Sequence, residues 1–569
     1  MWNLHQTHRS AFWSRCAVTM SGRVDLENLA SAIYRVVEEH EILRTTFTVL
    51  PGMTVPVQVI HPESPGCVKR HDLKRLSEEE ISQLYGAQVD LPVDAVPLFR
   101  CDLLELSRDE TVMLLSVPAI CADLRSLEII VDEIASFYAG ANAMAGAMQY
   151  ADFAEWHHEL LESEEGELGR RYWGTQSPPA EVSMSFEKRA NDNTPFQPRL
   201  VPVSLSPNVL KSLAAEGSER SSVVLACWQI LIRRLAGTAE IAIGIACDGR
   251  RHPELVNSVG PYSRYVLLQI EANDQLTILE LSDRFAQAEK EVAEWQDYFA
   301  WPNTEGYFSV CFEERRNDTA SKPAAFWIYQ RDAVEDRFNL KLVSLPTDCD
   351  PRVELHYDAA RFDSDDIRRM ADGLATLITN AIRTPAAPVG ELESLSDEER
   401  TRIVEGFNQT TEAFPEACIH TLFERQARQT PGAVAVVCGL DKLTYAQLNQ
   451  RANQLARYLQ KLGIGADVPV GLCLERSLDF VVCMLGILKA GAAYLPLDVN
   501  TPHERLSAML ADTRTPILIA RHVRDRTVEG CRTFSLDAIA AELAAEETHD
   551  CTSDVIAANL AYVIFTSGS

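Results

Sequence analysis

The chain has 569 residues and a formal net charge of −29 at pH 7, with 46% hydrophobic and 24% charged residues. This length predicts several domains that each bury a core, and the acidic balance excludes a nucleic-acid-binding surface because phosphates would be repelled. Fourteen cysteines without a CxxC pair fit neither a zinc site nor a disulfide framework, and with no secretory signal and no apolar run of about 18 residues we expect a cytoplasmic protein without membrane attachment.

Helical and β-rich segments alternate between about residues 15 and 400, which is typical of an α/β protein. Apolar residues at helical spacing predict helices, and short apolar runs predict strands. The predicted helices lie at 25–39, 127–138 and 221–235, and the predicted strands at 111–117, 200–205 and 240–247. A polar stretch at 177–196 divides the region, so we expect two lobes, at about 1–175 and 176–390.

A linker at 391–417 is predicted to lead into a further domain at 418–569, which starts with a helix at 419–428 and a strand at 433–438. An amphipathic helix is predicted at 443–459. The last ten residues read LAYVIFTSGS, an apolar run that breaks into a Thr-Ser-Gly-Ser loop. The hydroxyls and closely approachable N–H groups of such a loop suit a triphosphate.

Several segments of the first region resemble, in the same order, signatures of the condensation-domain superfamily of nonribosomal peptide synthetases. They are 39–47 (EHEILRTTF), 150–156 (YADFAEW), 243–250 (IGIACDGR), 259–268 (VGPYSRYVLL), 307–312 (YFSVCF) and 355–358 (LHYD). The resemblance implies a V-shaped pseudodimer of two chloramphenicol-acetyltransferase-like α/β lobes. It also implies a tunnel between them, which phosphopantetheine arms of carrier proteins enter from both sides.

The segment 117–126 (VPAICADLRS) departs from the family, whose active members carry HHxxxDG there. The second histidine positions or deprotonates the incoming amine, a role that needs a proton acceptor with a pKa of about 7. Pro118 and Ala119 occupy the two histidine positions, while Asp123 and Ser126 are kept. The resemblance implies a structural ion pair between Asp123 and Arg44, because a buried carboxylate needs a partner.

Other residues offer no clear replacement for the histidine. His157 and His158 follow Trp156 on a polar helix, where a solvated surface is expected, and His356 reads as a packed or solvated strand residue. Heterocyclisation relatives carry DxxxxDxxS, but their first aspartate would fall at Pro118, so cyclisation is disfavoured. Cys121 is expected to be a small buried residue without a base beside it.

The C-terminal region resembles amino-acid adenylation domains of the adenylate-forming, AMP-binding superfamily. The segments that carry the likeness are 443–459, 488–506 (LKAGAAYLPLDVNTPHERL) and the terminal loop. The resemblance implies that Thr566, Ser567, Gly568 and Ser569 contact ATP phosphates, and that the complete domain uses ATP with Mg²⁺. The family's motif continues beyond Ser569, so we expect a chain cut within its phosphate loop that does not adenylate an amino acid by itself.

These observations leave two functions for the condensation-like domain. In one, the domain is a non-catalytic platform that binds a carrier protein or recruits a tailoring enzyme, and the missing histidines favour this hypothesis. In the other, it forms amide bonds by orienting two tethered reactants, since proximity alone can supply effective molarities of about 10⁵ M or more. In both, the phosphopantetheine belongs to partner carrier proteins and no metal is bound by this domain.

Overall fold

The computed structural model describes residues 11–53, 55–72, 93–107, 109–141, 148–176, 182–188, 194–214, 219–238, 240–300, 307–315, 326–345, 351–521 and 527–566. The chain forms two compact units, Met1–Asn408 and Gln409–Ser569. None of the helices within these ranges is long and apolar enough to cross a membrane.

The first unit is built from two sheets with helices packed against them. Its strands are β1 (Trp13–Ser21), β2 (Thr45–Thr48), β3 (Val57–Ile60), β4 (Val68–Asp72), β5 (Arg100–Ser107), β6 (Glu110–Pro118), β7 (Pro198–Val203), β8 (Ala242–Cys247), β9 (Arg264–Gln269), β10 (Val310–Glu314), β11 (Phe326–Val334), β12 (Leu340–Leu345) and β13 (Arg352–Asp358). Its helices are α1 (Leu26–Glu39), α2 (Leu124–Tyr138), α3 (Tyr150–Glu162), α4 (Glu164–Gly174), α5 (Pro207–Ala214), α6 (Glu219–Ala236), α7 (Ile278–Trp295), α8 (Ser364–Arg383) and α9 (Asp397–Thr401).

The first sheet has the strand order β11-β1-β6-β5-β4. Helices α1 and α2 cover it, and their apolar stripes are buried against the strands in one cluster. Strand β11 belongs by chain position to the second lobe, yet it pairs antiparallel with β1 from Trp13 to Met20. The second lobe therefore supplies the edge strand of the first lobe's sheet.

The second sheet has the order β7-β13-β12-β10-β8-β9, in which β8, β10 and β12 are parallel neighbours. Helices α6, α7 and α8 contribute buried residues to its core, including the fully buried Trp228. The indole N–H of Trp228 is satisfied, because Nε1 donates to the carbonyl oxygen of Cys311 at 3.1 Å. The carboxyl ends of β8 and β10, at Cys247 and Glu314, line a cavity in the first unit.

The second unit has a four-stranded sheet in the order β17-β16-β18-β19 and a separate hairpin of β14 and β15. Its strands are β14 (Val434–Cys438), β15 (Asp441–Thr444), β16 (Pro469–Cys473), β17 (Ala493–Pro496), β18 (Ile517–Ala520) and β19 (Arg532–Phe534). Its helices are α10 (Ile419–Gln429), α11 (Tyr445–Lys461), α12 (Leu478–Lys489), α13 (His503–Asp512) and α14 (Ala540–Ala544). Thr444 and Gln447 form a capping box at the start of α11.

The predicted α/β class and the two condensation-type lobes, followed by an adenylation-type subdomain, are confirmed. The six segments predicted in the first unit all form the expected type of element, with ends that differ by a few residues. The sequence did not indicate that β11 crosses to the first sheet, because the pattern of a strand does not identify its partner.

Candidate functional site

The altered motif lies where β6 ends and α2 begins. Pro118 is the last residue of β6, and Ala119 is 1% exposed. Ala119 belongs to a hydrophobic cluster that includes Phe12, Phe196 and Phe338, drawn from both lobes. The rings of Phe12 and Phe196 stack at 5.7 Å, and those of Phe196 and Phe338 meet edge-on at 5.2 Å. Ala119 therefore lies in apolar packing, Pro118 is buried at the end of β6, and neither of these predicted histidine positions offers a hydrogen-bonding side chain.

Asp123 is the N-cap residue of α2 and lies in the same turn between β6 and α2. Its Oδ1 accepts hydrogen bonds from the backbone N–H and the hydroxyl of Ser126, both at 2.8 Å. Its Oδ2 accepts from the backbone N–H groups of Tyr262 and Ser263, both at 3.0 Å. The carboxylate is thus satisfied by donors from α2 and from the loop before β9, which join the two lobes.

Arg250 supplies the counter-charge. Its Nη1 and Nη2 donate to the two oxygens of Asp123, each at 2.8 Å, and the two side chains are only 1% and 2% exposed. Nη2 also lies 2.8 Å from Ser126 Oγ, and the guanidinium packs 4.5 Å from the ring centroid of Tyr262. Burial opposes the charged form of Arg250, but Asp123 and Asp248 outweigh it and raise its pKa.

The predicted pair between Arg44 and Asp123 is wrong. Arg44 lies in a short 3₁₀ turn, Glu41–Arg44, and its Nη1 donates to the carbonyl oxygen of His61 at 2.6 Å. Its Nη2 lies 3.7 Å from Glu41. These nearby acceptors hold the Arg44 guanidinium in the first lobe, while Arg250 reaches Asp123 from the second. The sequence did contain a signal for Arg250, because this arginine is the last residue of the family-like segment 243–250.

A cavity of about 620 Å³ opens beside the first turn of α2, within the size range of small-molecule sites. Its walls come from α2, α7, the ends of β8 and β10, and the end of β11. Asp123 and Arg250 form part of the lining, so the preserved half of the motif faces this space. Pro118 and Ala119 are not among the lining residues.

Glu335, the residue after β11, was not identified from the sequence. It lines the cavity, is partly buried, and its Oε1 accepts a hydrogen bond at 2.7 Å from the backbone N–H of Leu124. Burial raises the pKa of Glu335 to about 7, and the nearby carboxylates of Asp123 and Glu313 add to the effect. This property arises from contacts between distant segments, so no local sequence signal could have revealed it.

Glu313 shows the opposite behaviour in the same cavity. Arg315 Nε donates to its Oε1 at 2.6 Å, and Lys341 Nζ donates to its Oε2 at 2.9 Å. Burial alone would raise the pKa of Glu313, but these two cations outweigh it and hold the pKa well below the ordinary range. Glu313 is therefore a charged carboxylate whose two oxygens are both bound, by Arg315 and by Lys341.

The other histidines and Cys121 have structural surroundings. His158 is exposed, but His157 is half-buried, with its Nε2 2.7 Å from the carbonyl oxygen of Asp297, so the expected solvated surface is wrong for His157. The physical reason is its stacking on Phe153 within the first unit. His356 is buried beside Glu354, at 3.0 Å. Cys121 is fully buried, which raises the pKa of its thiol, as expected for a small core residue.

The loop predicted to contact ATP is only partly within the described residues. Residues Ser567, Gly568 and Ser569 lie outside them, and Thr566 is exposed. The preceding segment lies along β17, since Tyr494 N donates to the carbonyl oxygen of Ala561 at 3.2 Å and Val563 N to that of Tyr494 at 3.1 Å. Thr566 therefore comes four residues after a parallel bridge between Tyr494 and Tyr562. Across the described ranges, His, Cys, Asp and Glu form no group suited to a metal ion.

Comparisons with known proteins match both units. The family model described as "Condensation domain" matches residues 1–300, and the one described as "AMP-binding enzyme" matches 423–569. Chondramide synthase cmdD of Chondromyces crocatus is 30% identical over 594 aligned positions, which cover 97% of this chain and 15% of that protein. Gramicidin S synthase 2 of Aneurinibacillus migulanus is 29% identical over 577 positions, covering 97% of this chain and 13% of that protein. The chain therefore spans 13–15% of the length of these relatives.

Solved structures share the fold at low sequence identity. Holo-AB3403, a four-domain nonribosomal peptide synthetase bound to AMP and glycine, aligns with a TM-score of 0.71 and 16% identity, over 100% of this chain and 46% of that one. The X-domain in its complex with OxyB from teicoplanin biosynthesis aligns with a TM-score of 0.56 and 22% identity, over 70% of this chain and 94% of that one.

Proposed function

From the premise that the chain belongs to the condensation-domain family of nonribosomal peptide synthetases and continues into the N-terminal part of an AMP-binding domain, we propose that residues 1–390 form a docking platform. The platform receives a carrier protein whose phosphopantetheine arm reaches the cavity beside α2. A trans-acting tailoring enzyme is a further partner of the same platform.

The observation that carries this proposal is the division of the altered motif. Of the two predicted histidine positions, Ala119 is packed among aromatic side chains and Pro118 is buried at the end of β6. Asp123 and Arg250, in contrast, keep a fully bonded link between the lobes. A domain that binds partners needs the second feature and has no use for a histidine. Recruitment of a tailoring enzyme is supported by the fold alone, which is shared with an X-domain solved in complex with OxyB.

The test is a calorimetric titration of the 569-residue chain with carrier proteins that bear phosphopantetheine. We expect saturable binding that weakens when the phosphopantetheine is removed. Absence of binding to every loaded and unloaded carrier, together with absence of binding to any tailoring enzyme, would contradict the platform.

Amide-bond formation without the histidine is the second candidate, and the cavity carboxyl of Glu335 is the observation that favours it. General-base assistance contributes about 10²–10⁴-fold to such reactions, so without the motif's histidine we expect weak condensation at most. The measurement is a mass-spectrometric product assay on the intact module with loaded donor and acceptor carriers. Rapid dipeptide formation that depends on residues 1–390 would favour catalysis over docking alone. Heterocyclisation is a weaker candidate, since Pro118 replaces its first aspartate.

For the second unit we propose the start of an ATP-dependent amino-acid-activating domain, with Mg²⁺ and ATP bound by the complete domain in a cytoplasmic protein. Thr566, Ser567, Gly568 and Ser569 would hold the phosphates, and their hydroxyls and N–H groups supply the donors that a polyphosphate needs. The test is amino-acid-dependent exchange of pyrophosphate into ATP by the intact module. Loss of exchange in Thr566→Ala with unchanged stability is the expected result, and full exchange in that variant would contradict this assignment.

A further inference from the structure

The four arginines that line the cavity beside α2 are each engaged by a carboxylate other than Glu335. Arg250 is bonded to Asp123, and Arg315 is bonded to Glu313. The remaining two arginines of the lining, Arg125 and Arg331, both contact Glu128 on α2. Within the described ranges, no cation is paired with Glu335.

The hydrogen bonds that Glu335 does receive come from neutral donors. The backbone N–H of Leu124 donates to Oε1 at 2.7 Å, and the hydroxyl of Ser263 donates to the carboxyl. Neutral donors orient a carboxylate but do not balance its charge. A cationic group that enters the cavity would therefore find one carboxyl that is oriented toward the turn of the motif and lacks a counter-ion.

We propose that Glu335 receives the primary amine of an aminoacyl group that a carrier protein delivers into this cavity. The inference rests on the proposed function, because the arm of a docked carrier must bring the aminoacyl group there. The amine arrives as an ammonium, forms a charge-assisted hydrogen bond with the carboxylate, and can transfer one proton to it, leaving a neutral amine and a neutral carboxylic acid. No bond between heavy atoms changes in this step.

The location agrees with this role. Glu335 bonds to the N–H of Leu124, the residue directly after Asp123, so it lies at the first turn of α2. Its raised pKa places proton exchange near neutral pH, the range in which a proton acceptor is effective.

The charged groups around Glu335 allow the direction of the pH dependence to be stated. Asp123 on α2 and Glu313 on β10 are held by arginines, and both repel a second negative charge. Burial also raises the pKa of the adjacent Asp336, to about 6. From the remaining walls, Asp248 follows β8, and Glu289 and Lys290 lie on α7. Because the pKa of Glu335 is raised, its charged form is lost below about pH 7 and present above it.

The experiment compares two soluble analogues of a loaded arm. One is alanyl-aminopantetheine, in which a stable amide replaces the thioester, and the other is its N-acetyl derivative, which has no amine. Both are titrated calorimetrically into the 569-residue chain and into the variant Glu335→Gln. The glutamine keeps an oxygen that can accept from Leu124 N–H, while the charge is removed. Glu289→Gln is the matched control, since Glu289 lines the same cavity but accepts from Ser222 at 3.2 Å.

We expect the parent and Glu289→Gln to bind the amine analogue about tenfold more tightly than the acetylated one, the effect of one charge-assisted hydrogen bond. Glu335→Gln should bind both analogues equally. If Glu335→Gln keeps the preference, the inference is overturned. Equal binding of the two analogues by the parent also overturns it but leaves the platform intact. Absence of binding of both analogues and of pantetheine itself overturns the inference together with the delivery of a carrier arm to this cavity.

A pH series on the parent makes the result independent of the variant's folding. The preference for the amine should rise about three- to fivefold between pH 6 and pH 8, because a carboxyl with a pKa of about 7 becomes charged while an α-amine, whose ordinary pKa is about 7.7–8.0, stays largely protonated. A preference that is constant over this interval would overturn the inference even if Glu335→Gln were too unstable to measure.

Discussion

At the scale of single residues, the buried Asp123 carboxylate is expected to contribute strongly to the stability of the first unit. Truncating it to alanine leaves the Arg250 guanidinium, 1% exposed, without its bidentate partner. We expect Asp123→Ala to lower the free energy of unfolding by about 3–5 kcal/mol, the usual cost of breaking a buried ion pair from one side. Urea denaturation followed by fluorescence measures this.

Asp248 provides the control for Asp123, because it contacts the same arginine at 2.7 Å but its side chain is 57% exposed. Asp248→Ala should change the free energy of unfolding by no more than about 1 kcal/mol, since exposed ion pairs contribute little. Equal losses in the two variants would mean that burial does not govern the Asp123–Arg250 interaction.

A second buried pair is expected to stabilise the second unit. The Lys489 side chain is fully buried, contacts Glu424, and lies 3.7 Å from Asp550. Lys489→Met should destabilise the second unit by about 3 kcal/mol, because the Glu424 carboxylate would lose its counter-ion. Arg451→Met is the control, since Arg451 pairs with Asp479 and the two side chains are 47% and 49% exposed, and it should cost about 1 kcal/mol or less. Thermal melting of both variants provides the comparison, and similar melting temperatures would contradict it.

The residue scale also shows what the sequence could and could not predict about the site. The sequence predicts that Pro118 and Ala119 occupy the two histidine positions of the motif and that Asp123 is kept, and these assignments remain predictions. The partner of Asp123 was predicted as Arg44 and is Arg250, because spacing along a chain does not decide which of two arginines reaches a carboxylate in space. Glu335 carries no motif at all, and its raised pKa comes from burial beside segments about 20 and 210 residues away.

At the scale of elements, the turn after β8 is expected to tolerate no side chain at Gly249. This glycine has φ +74°, and a Cβ there would lie 2.1 Å from the carbonyl oxygen of Tyr262. Backbone on both sides would have to move, which would also displace the adjacent Arg250. We expect Gly249→Ala to destabilise the first unit by about 3 kcal/mol or more, a value that belongs to severe core changes. Urea denaturation, as for Asp123→Ala, measures this.

Gly237, directly after α6, is the control that separates two causes of the stability loss expected for Gly249→Ala: the strain of a positive φ and the close contact with Tyr262. It has a similar φ of +67°, but a Cβ there would meet nothing within 4 Å. Gly237→Ala therefore carries only the left-handed strain, which costs about 1–2 kcal/mol. The difference between the two variants measures the close approach to Tyr262. If both variants unfold at the same urea concentration, the contact with Tyr262 contributes nothing.

Element types were predictable because apolar spacing encodes them locally. The helix expected at 25–39 forms as α1, Leu26–Glu39, and the strand expected at 111–117 forms within β6, Glu110–Pro118. The pairing of β11 with β1 was not predictable, because any strand with one apolar face can pair with several edges. The partner of β11 is determined by the packing of the whole first unit, in which β11 pairs with β1 at the edge of the first sheet. This pairing also places Glu335 in the lining of the cavity.

At the scale of the whole first unit, the two lobes hold each other through this exchanged strand. Strand β11 pairs with β1 from Trp13 to Met20, and the buried Asp123–Arg250 pair joins the lobes at a second place. If the lobes were separated, the edge of β1 would be left with unpaired N–H and C=O groups, and two buried charges would lose their partners. Physical continuity of the chain between the lobes should therefore be dispensable once the unit has folded.

We predict that cleavage of the folded chain at a protease site inserted between residues 177 and 181 leaves the two fragments associated. They should co-elute in size-exclusion chromatography without denaturant and separate only when urea disrupts β1–β11 pairing. In the Asp123→Ala background, separation should occur at a lower urea concentration, because the buried ion pair between the lobes is missing. Fragments that part in native buffer would show that the strand exchange and the ion pair do not suffice to hold the lobes together. Unchanged separation in Asp123→Ala would show that the ion pair does not contribute to the association.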